Sequence, residues 1–306
     1  MSSEAPPRTL PKAGMVTLVG RPNAGKSTLL NRLLGEKLAI VSDRPQTTRH
    51  RMIGILSGAP GQIVFLDTPG VHRPLHRMNR RMVRQATDSL REVDAVCMIV
   101  DASQPFGGGD RFLLDLVSRA PGPRVAVLNK IDLVRKPKLL PRIATYGESG
   151  AFGDIVPISA LTGDGVGRLL EVLWRLMPEG EPLYDPELLT VHPERFLVAE
   201  RIREKLLRHT RDELPFTTAV LIEDWQETDT LLRLHATILV ERVGQKKIVV
   251  GQRGSMLKRI GQEARLDLEE YLGKRVYLEL FVRHEPDWRE NRRLLARLER
   301  DVNIPV

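Results

Sequence analysis

A glycine-rich segment near the start of the chain has the residue types that bind phosphate. Residues 20–27 read GRPNAGKS and follow an apolar run at residues 15–19. In the pattern G-x-x-x-x-G-K-S/T, backbone N–H groups surround phosphate oxygens, the lysine neutralises their charge and the hydroxyl binds Mg²⁺. The segment therefore predicts a nucleotide site formed by Asn23, Ala24, Gly25, Lys26, Ser27 and Thr28. The alternative, a structural turn with a chance lysine, is disfavoured by the strand and helix patterns on either side.

Two later segments carry candidate ligands for Mg²⁺ and the γ-phosphate. Asp67 follows the apolar run 62–66, where its carboxylate can reach Mg²⁺ through water, and the N–H of Gly70 can donate to the γ-phosphate. In the loop at residues 45–49, Thr48 is the first candidate to complete the Mg²⁺ shell and Thr47 is the second. The predicted metal ligands are Ser27, Thr48 and Asp67, and the predicted catalytic residues include Lys26, Thr48 and Gly70.

A base-recognition pattern follows the apolar run at residues 124–128. The carboxylate of Asp132 can accept both N1–H and the exocyclic amino group of guanine, whereas adenine presents neither donor in that arrangement. An acceptor left unpaired in a buried site costs free energy, and this cost rejects the wrong base. Asn129 would brace the loop and the Lys130 stem would lie over the base. In the segment Ser159, Ala160 and Leu161, the N–H of Ala160 would meet the guanine O6.

The four segments occur in the order and spacing of the translation-factor-like GTPases, so the predicted reaction is hydrolysis of GTP to GDP and phosphate. Val71 stands where many such proteins have a glutamine that orients the attacking water. Because valine cannot orient water, we expect a slow intrinsic rate that depends on the metal and the phosphate loop.

The elements that must position these residues alternate between strands and helices from residue 15 to residue 177. Apolar runs predict strands at residues 15–19, 52–56, 62–66, 95–100, 124–128 and 154–158. Amphipathic patterns predict helices at residues 26–34, 78–91, 110–119 and 166–176. Strands that are apolar throughout and separated by helices are typical of an α/β fold, a mostly parallel sheet with helices on both faces.

Four prolines within residues 178–193 end this alternation and predict a linker. Beyond it, we expect a helix at 194–209, strands at 217–224 and 231–241, a glycine-rich basic segment, a helix at 255–271, a strand at 275–282 and a last helical stretch at 291–300. The predicted organisation is a flexible N-terminus at 1–14, a nucleotide-binding α/β domain at 15–177, the linker at 178–193 and an α+β domain at 194–306.

A second glycine motif, G-x-x-G at residues 251–254, opens the predicted helix at 255–271. Alone, the motif is as typical of a structural loop as of a nucleic-acid-binding loop. However, residues 242–262 contain six basic residues and no acidic one, which favours nucleic-acid binding. Two glycines before a helix let a nucleic-acid backbone approach closely, and apolar side chains at 248–250, with Leu257 and Ile260, would wall a groove for about four nucleotides of single-stranded RNA. The predicted RNA contacts are Lys246, Lys247, Ile248, Val250, Gly251, Gln252, Arg253, Gly254, Ser255, Lys258 and Arg259.

Composition excludes several classes of protein. The 306 residues include 47 Lys and Arg against 39 Asp and Glu, a formal net charge of +8, and 42% are hydrophobic, which is ordinary for a globular chain. One cysteine, Cys97, excludes an intrachain disulfide and a cysteine-based zinc site, and it favours a reducing compartment. No apolar run approaches the roughly 18 residues of a membrane helix. We therefore expect a cytoplasmic protein without a transmembrane segment, and peripheral contact with the inner membrane stays open.

The positive charge is unevenly distributed. Residues 1–180 hold 25 basic and 16 acidic residues, whereas residues 181–306 hold 22 and 23. Within residues 71–91, six arginines face a single aspartate, which indicates either a second RNA-contacting surface or a solvated helix face. His72 and His76 lie in the same segment, but no nearby carboxylate or cysteine completes a metal site, so a solvated surface is favoured.

The sequence resembles the Era family of bacterial GTPases. The resemblance rests on Asn23 in the phosphate loop, on QTTRH at residues 46–50, on the apolar Val71, and on a C-terminal half similar to a bacterial KH domain, with Asp287-Trp288-Arg289 after its last strand. It implies binding near the 3′ end of 16S rRNA and a role in maturing the 30S subunit. The motifs themselves predict GTP, GDP and Mg²⁺ as ligands, and we expect a monomer. The resemblance also implies K⁺-assisted hydrolysis in which Asn23 helps to hold the ion.

Two other functions remain open at this stage. One is a nucleotide-gated RNA chaperone in which hydrolysis is incidental. The other is a GTPase partner of an RNA-modifying enzyme, which is the less economical reading because a KH groove already accounts for RNA binding.

Overall fold

The computed structural model describes residues 11–42, 44, 47–70, 89–210 and 214–300. The chain divides into two compact units, the first ending at Val191 and the second beginning at His192, except that Ile40–Thr47 group with the second unit. Most of the predicted helix at 78–91 and of the arginine-rich segment 71–91, with Val71, His72 and His76, lies outside the described residues. None of the helices within the described ranges has the length and hydrophobicity that crossing a membrane requires.

A six-stranded sheet forms the centre of the first unit. Its strands are β1 (Lys12–Gly20), β2 (Met52–Gly58), β3 (Gly61–Asp67), β4 (Ala95–Asp101), β5 (Arg124–Asn129) and β6 (Asp154–Pro157), in the order β2-β3-β1-β4-β5-β6. β2 pairs antiparallel with β3, and the remaining pairs are parallel. The apolar side chains of the central strands are buried on both faces, as the unbroken apolar runs predict. Parallel pairing brings the carboxyl ends of β1, β3, β4 and β5 to one edge of the sheet.

Helices connect the strands of the first unit. They are α1 (Lys26–Leu34), α2 (Gly108–Val117), α3 (Lys136–Gly147) and α4 (Val166–Leu176), and a short 3₁₀ turn lies at Ile131–Leu133. α1 and α4 have the predicted bounds, and α2 begins two residues early because the Asp110 carboxylate accepts the Gly107 N–H at 2.9 Å. The sequence does not predict α3. Pro137 lies in its first turn, where the missing N–H has no helical partner, whereas Pro141 lies inside the helix and removes one of its backbone hydrogen bonds.

The segments at the two ends of this unit differ from expectation. Lys12, Ala13 and Gly14, placed in the flexible N-terminus by the sequence, belong to β1 and pair with β3. The expected linker is also attached to the first unit: the Ala13 N–H donates to Pro178 O at 3.0 Å, and the Ile55 N–H donates to Leu189 O at 2.8 Å. Prolines end the helix as predicted, but the extended chain beyond it satisfies backbone groups of β1 and β2.

The second unit has a three-stranded sheet, β7 (Thr218–Glu227), β8 (Leu231–Val240) and β9 (Arg275–His284), in that order. β7 and β8 are antiparallel, whereas β8 and β9 are parallel. Its helices are α5 (Glu194–His209), α6 (Leu214–Thr217), α7 (Val243–Val250), α8 (Ser255–Leu272) and α9 (Arg292–Arg300). The sequence does not predict α7; Gln245 caps its first turn by accepting the backbone N–H groups of Glu241 and Arg242, each at 3.0 Å.

Helix α5 buries charged side chains as well as apolar ones. Arg201, Arg203, Glu204 and Lys205 are each at most 7% exposed. The Lys205 ammonium lies 2.9 Å from Glu204 and 3.1 Å from Asp267, and Glu204 also accepts the Val41 N–H at 3.0 Å. Pairing of this kind offsets the desolvation of buried charges. The network therefore holds the Val41 backbone on α5 within the second unit.

Candidate functional site

The phosphate loop connects β1 to α1 and has left-handed backbone at two positions, Asn23 (φ 61°) and Gly25 (φ 94°). A β-carbon on Gly25 would lie 2.2 Å from the side-chain nitrogen of Asn129, so no larger residue fits there. The conformation turns the chain into the N-terminus of α1, which begins at Lys26. The N-terminal end of a helix carries a partial positive charge and N–H groups without helical partners, which together favour an anion.

Lys26 is a buried cation at the start of α1. Its side chain is directed back over the loop, with the ammonium 3.4 Å from Gly20 O and 3.3 Å from Arg21 O. Burial lowers the pKa of Lys26, and the charge of Asp67 opposes that shift. An ammonium held by carbonyl oxygens in a buried position is suited to an anionic ligand that would pair with it.

The predicted metal ligands meet at one point. The Ser27 hydroxyl lies 2.7 Å from Asp67 Oδ2 and 2.9 Å from Thr48 Oγ1. Thr47 instead donates its hydroxyl to Arg44 O at 2.6 Å. Of the two threonines that the sequence leaves open, the geometry therefore favours Thr48.

Asp67 is fully buried at the end of β3. Burial raises the pKa of its carboxyl group to about 6, although Lys26 and the Ser27 hydroxyl act in the opposite direction. Its Oδ1 atom is buried without a hydrogen-bond partner among the described residues. An unpaired carboxylate oxygen beside two hydroxyl groups fits a hard divalent cation with its water ligands.

Gly70 lies against the phosphate loop. A β-carbon at this position would be 2.9 Å from Pro22 Cα, so the backbone after β3 approaches the loop as closely as a glycine permits. The Gly70 backbone therefore lies beside the phosphate loop. Val71, which follows it, and Gln46 in the preceding loop lie outside the described residues.

The base-recognition segment is organised by Asn129. This side chain is 2% exposed; its amide donates to Ala24 O at 2.9 Å, and its Oδ1 accepts the Ala160 N–H at 2.9 Å. It therefore braces the phosphate loop and the segment 159–161 together. The Ala160 N–H is consequently engaged, and the expected bond to guanine O6 would have to share that donor or fall to the next amide, that of Leu161.

Asp132 and Lys130 lie on the 3₁₀ turn after β5. Asp132 is exposed, and Lys130 has left-handed backbone with φ 66°. The Lys130 ammonium lies 2.7 Å from Asp101 at the end of β4. Burial of Asp101 raises its pKa, but hydrogen bonds from Lys130 and Ser103 outweigh burial and hold that pKa below its ordinary value. Asp101 thus fixes the Lys130 stem.

Sequence reasoning missed two residues that position this site. Arg32 donates to Ala160 O at 3.2 Å and also to Leu161 O, which ties α1 to the segment 159–161. Asp101 was recognisable as an aspartate at the carboxyl end of a buried strand, the same signal that identified Asp67. Arg32 gave no signal, because an arginine in the last turn of an amphipathic helix is ordinary.

The G-x-x-G motif lies in a tight turn between α7 and α8. Residues Gln252–Gly254 form a 3₁₀ turn in which Arg253 has φ 52°, and α8 begins at Ser255. Exposed side chains surround the turn, namely Lys246, Lys247, Ile248, Gln252, Arg253, Ser255, Lys258 and Arg259, whereas Val250, Gly251 and Gly254 are half-buried. Arg259 lies 3.4 Å from Glu263, one turn along α8.

The apolar wall of the groove needs one correction. Val249 and Ile260, expected to face bases, are fully buried in the core of the second unit. Because α7 is helical rather than extended, residues 248, 249 and 250 point in different directions. Ile248 is 56% exposed, and Val250 and Leu257 pack only partly against the core.

The fold and the motif positions define the class of protein. A phosphate loop after β1, a buried aspartate after β3 and an asparagine-braced turn after β5 of a mostly parallel sheet are features of a P-loop GTPase domain. The β7-β8-β9 sheet with G-x-x-G between two helices is a KH domain. Known families agree: the 50S ribosome-binding GTPase family matches residues 15–130, and the KH domain family matches residues 213–289.

Relatives align over almost the whole chain. GTPase Era of Geotalea uraniireducens is 50% identical over 285 residues, 93% of this chain and 96% of the relative. GTPase Era of Staphylococcus haemolyticus is 44% identical over 279 residues, 91% and 93% of the two chains. A crystal structure of Era with MgGDPNP and nucleotides 1506–1542 of 16S ribosomal RNA superposes with a TM-score of 0.89 at 38% identity, covering 94% of this chain and 98% of that one. The chain belongs to the Era family of GTPases, which confirms the predicted family and fold class.

Proposed function

We propose that the chain binds the 3′ region of 16S rRNA through its KH domain and acts in assembly of the 30S subunit, with GTP binding and hydrolysis as its switch. The observation that carries the proposal is the meeting of Ser27, Thr48 and Asp67 beside Lys26 in a GTPase joined to a KH domain. The solved Era complex with nucleotides 1506–1542 of 16S ribosomal RNA supports the choice of RNA. In this role the protein acts as a monomer in the cytoplasm, where 30S subunits assemble.

The residues around Ser27 fit Mg²⁺ bound together with GTP. When bound, Mg²⁺ neutralises charge that develops between the β- and γ-phosphates. Ser27 and Thr48 would hold the ion directly, and Asp67 would hold it through water. Lys26 would bind the β- and γ-phosphates, and the Gly70 N–H would donate to the γ-phosphate, which orients it for attack by water.

Hydrolysis in this chain would be slow and assisted by K⁺. Val71 supplies no polar group for the attacking water, so charge stabilisation must do more of the catalysis. Asn23, exposed in the phosphate loop with its left-handed backbone, is the residue we propose to help hold K⁺. Turnover with GTP in KCl should exceed turnover in NaCl at equal ionic strength, and equal rates would contradict the role of K⁺.

Guanine recognition is proposed to depend on Asp132. In Asp132→Asn one acceptor becomes a donor, which suits the extra carbonyl of xanthine and opposes the amino group of guanine. GTP affinity should fall by about 100-fold or more and XTP affinity should rise. Full GTP affinity without any gain for XTP would show that another residue reads the base.

The RNA groove is proposed to run over the G-x-x-G turn. The backbone at Gly251 and Gly254 would admit the phosphates, and the exposed cations around it, Arg253 and Lys258 among them, would neutralise them. Ile248 and Val250 would contact bases on the apolar side. The near-neutral charge of the second half of the chain means that this local patch, and not the domain as a whole, attracts RNA.

Cross-linking to cellular RNA tests the ribosomal role. The wild-type chain and a variant with Arg253→Ala and Lys258→Ala would be cross-linked to RNA in cells. Both proteins would also be cross-linked in lysate, once with GTP bound and once with GDP bound. We expect sites concentrated near the 3′ end of 16S rRNA that the double variant loses. Sites scattered over messenger RNA would contradict a role in 30S assembly.

The competing function is a nucleotide-gated RNA chaperone in which hydrolysis is incidental. Val71 favours it, because a valine at this position cannot orient the attacking water. A variant that binds GTP but cannot hydrolyse it would separate the two. Stalled 30S assembly would support the switch, whereas normal assembly would support a nucleotide-gated RNA chaperone.

A further inference from the structure

The first unit contains a second cavity, apart from the nucleotide site. It has a volume of about 340 Å³ and lies between the loop after β4, the N-terminal part of α2 and helix α3. Val100 and Leu128 of the sheet form its floor, and Phe106 and Pro141 line its sides. None of its lining residues belongs to the phosphate loop or to the segments 129–132 and 159–161. A ligand here would therefore leave the guanine nucleotide in place.

A buried hydroxyl group in this cavity lacks a partner. Tyr146 of α3 lines the cavity and is 3% exposed, and its Oη atom makes no hydrogen bond among the described residues. Buried tyrosine hydroxyls are normally paired, because an unpaired one loses its water without compensation. Burial raises the pKa of Tyr146, with the Asp110 charge acting in the same direction, so the group remains a neutral O–H donor. The site thus offers a donor without an acceptor.

The cavity also has an aromatic wall. The ring of Phe106 meets the ring of Tyr146 edge to face, with centroids 5.7 Å apart, and the ring centroid of Phe152 lies 6.2 Å from that of Tyr146. Phe106 is still 37% exposed, so part of its ring remains available to a ligand. Such a wall favours a planar aromatic group over an aliphatic chain.

The charges at the cavity favour an anion. Its acidic residue, Asp110, is already neutralised by Arg21 at 3.0 Å. Lys138 and Arg142 of α3 also line the cavity. Arg142 donates to Gln104 O, and Lys138 is exposed, with no acidic side chain within ion-pair distance in the described part of the chain. The rim is therefore positive.

We propose that this cavity is a binding site for a small aromatic anion, whose ring packs against Phe106 and Tyr146, whose acceptor takes the Tyr146 hydroxyl and whose charge faces Lys138 and Arg142. The volume suits one ring system, because a water molecule occupies about 30 Å³ in the liquid and the cavity is about tenfold larger. A probe of about ten heavy atoms in such a site is expected to bind in the millimolar range.

The test uses 4-fluorobenzoate as the probe and fluorine NMR as the measurement, on the full chain first without nucleotide and then saturated with Mg²⁺ and GDP. We expect saturable binding that GDP does not displace, and binding of the neutral 4-fluorobenzamide about tenfold weaker. Lys138→Glu should weaken 4-fluorobenzoate about tenfold, whereas Arg168→Glu, an exposed charge reversal on α4, should leave its affinity unchanged.

Tyr146→Phe separates a ligand site from a structural hydroxyl. It should weaken the probe several-fold while leaving the melting temperature of the GDP-bound protein equal or higher, because the lost hydroxyl has no bond to lose. A lower melting temperature with unchanged probe affinity would show that the hydroxyl serves the fold alone. Absence of saturable binding, displacement by GDP, or equal affinity in Lys138→Glu would each overturn the proposal.

Discussion

The loops with the G-x-x-x-x-G-K-S and G-x-x-G motifs each open a helix, and they present positive charge in opposite ways. The loop before α1 buries its lysine at 6% exposure and is held by a buried asparagine from another strand. The loop before α8 has only exposed cations around it, and its central Arg253 is exposed. A compact nucleotide that stays bound suits buried, prearranged groups that each contribute much. A polymer that must slide in suits many exposed charges that each contribute little.

The largest expected effect of a single substitution lies in the first loop. Lys26→Ala removes the buried ammonium, and with it charge-assisted bonds to two phosphates, so GDP affinity should fall by about 100- to 1000-fold. Isothermal titration would measure it, with Lys136→Ala, an exposed lysine on α3, as the control. Affinity for single-stranded RNA, measured without nucleotide, should not change. A loss of GDP affinity below tenfold would show that Lys26 contributes no more to binding than an exposed cation of the second loop.

The brace that supports the first loop should carry the next largest effect. Asn129→Ala leaves the buried Ala24 O and Ala160 N–H unpaired, and the free energy of unfolding of the first unit should fall by about 2–5 kcal/mol. Trp174 lies in the first unit, whereas Trp225 and Trp288 lie in the second, so urea unfolding followed by fluorescence in a Trp225→Phe, Trp288→Phe background reports the first unit. As a control, Asn291→Ala, at the start of α9 in the second unit, should leave the urea midpoint of the first unit unchanged. An unchanged transition in Asn129→Ala would mean that the brace adds no stability.

Burial in the first site should also make the nucleotide-free protein sensitive to pH. The pKa of Asp67 is raised from 3.8 to about 6 in the folded chain, so the folded state binds the proton more tightly than the unfolded state. The free energy of unfolding should therefore fall as pH rises from about 4 to above 6, by up to about 3 kcal/mol. Asp67→Asn should flatten this fall, and Asp115→Asn, an exposed carboxylate on α2, should not. Equal slopes in wild type and Asp67→Asn would contradict the raised pKa of the buried Asp67 carboxyl group.

The smallest effect is expected in the second loop. Lys258→Ala should weaken single-stranded RNA only several-fold and reduce the slope of log affinity against log salt by about 0.7, the value for one phosphate contact. Lys274→Ala is the control in the same unit, because that lysine is already paired with Glu227 at 2.5 Å. A loss as large as that of Lys26→Ala would show that the G-x-x-G loop also works through one dominant cation.

Sequence patterns predicted the elements that are strongly periodic and missed those that are not. The bounds of α1 and α4 were predictable because apolar residues recur at helical spacing and glycine precedes each helix. α3 was not, because its two prolines and its basic first turn are typical of a loop. α7 was not, because Ile248, Val249 and Val250 favour a strand, and the cap supplied by Gln245 depends on tertiary position.

The site was predictable where one residue type is chemically required. Lys26, Ser27 and Asp67 follow from what phosphate and Mg²⁺ need, and the structure brings them together. The choice between Thr47 and Thr48 required the hydrogen bonds, since both are loop threonines with the same chemistry. The contact between Asn129 and Ala160 was hidden because it joins residues 31 positions apart through a side chain.

The proline-rich segment after α4 has a consequence for solubility. β2 is an edge strand of the first sheet, and an open edge can pair with a strand of another molecule. The Ile55 N–H donates to Leu189 O at 2.8 Å, and the Thr190 hydroxyl donates to Ile53 O at 2.6 Å. The segment thus blocks the edge, and its own prolines, which lack an N–H, make it a poor template for a further strand. A segment that the sequence marks as a connection between two domains therefore also covers the open edge of a sheet.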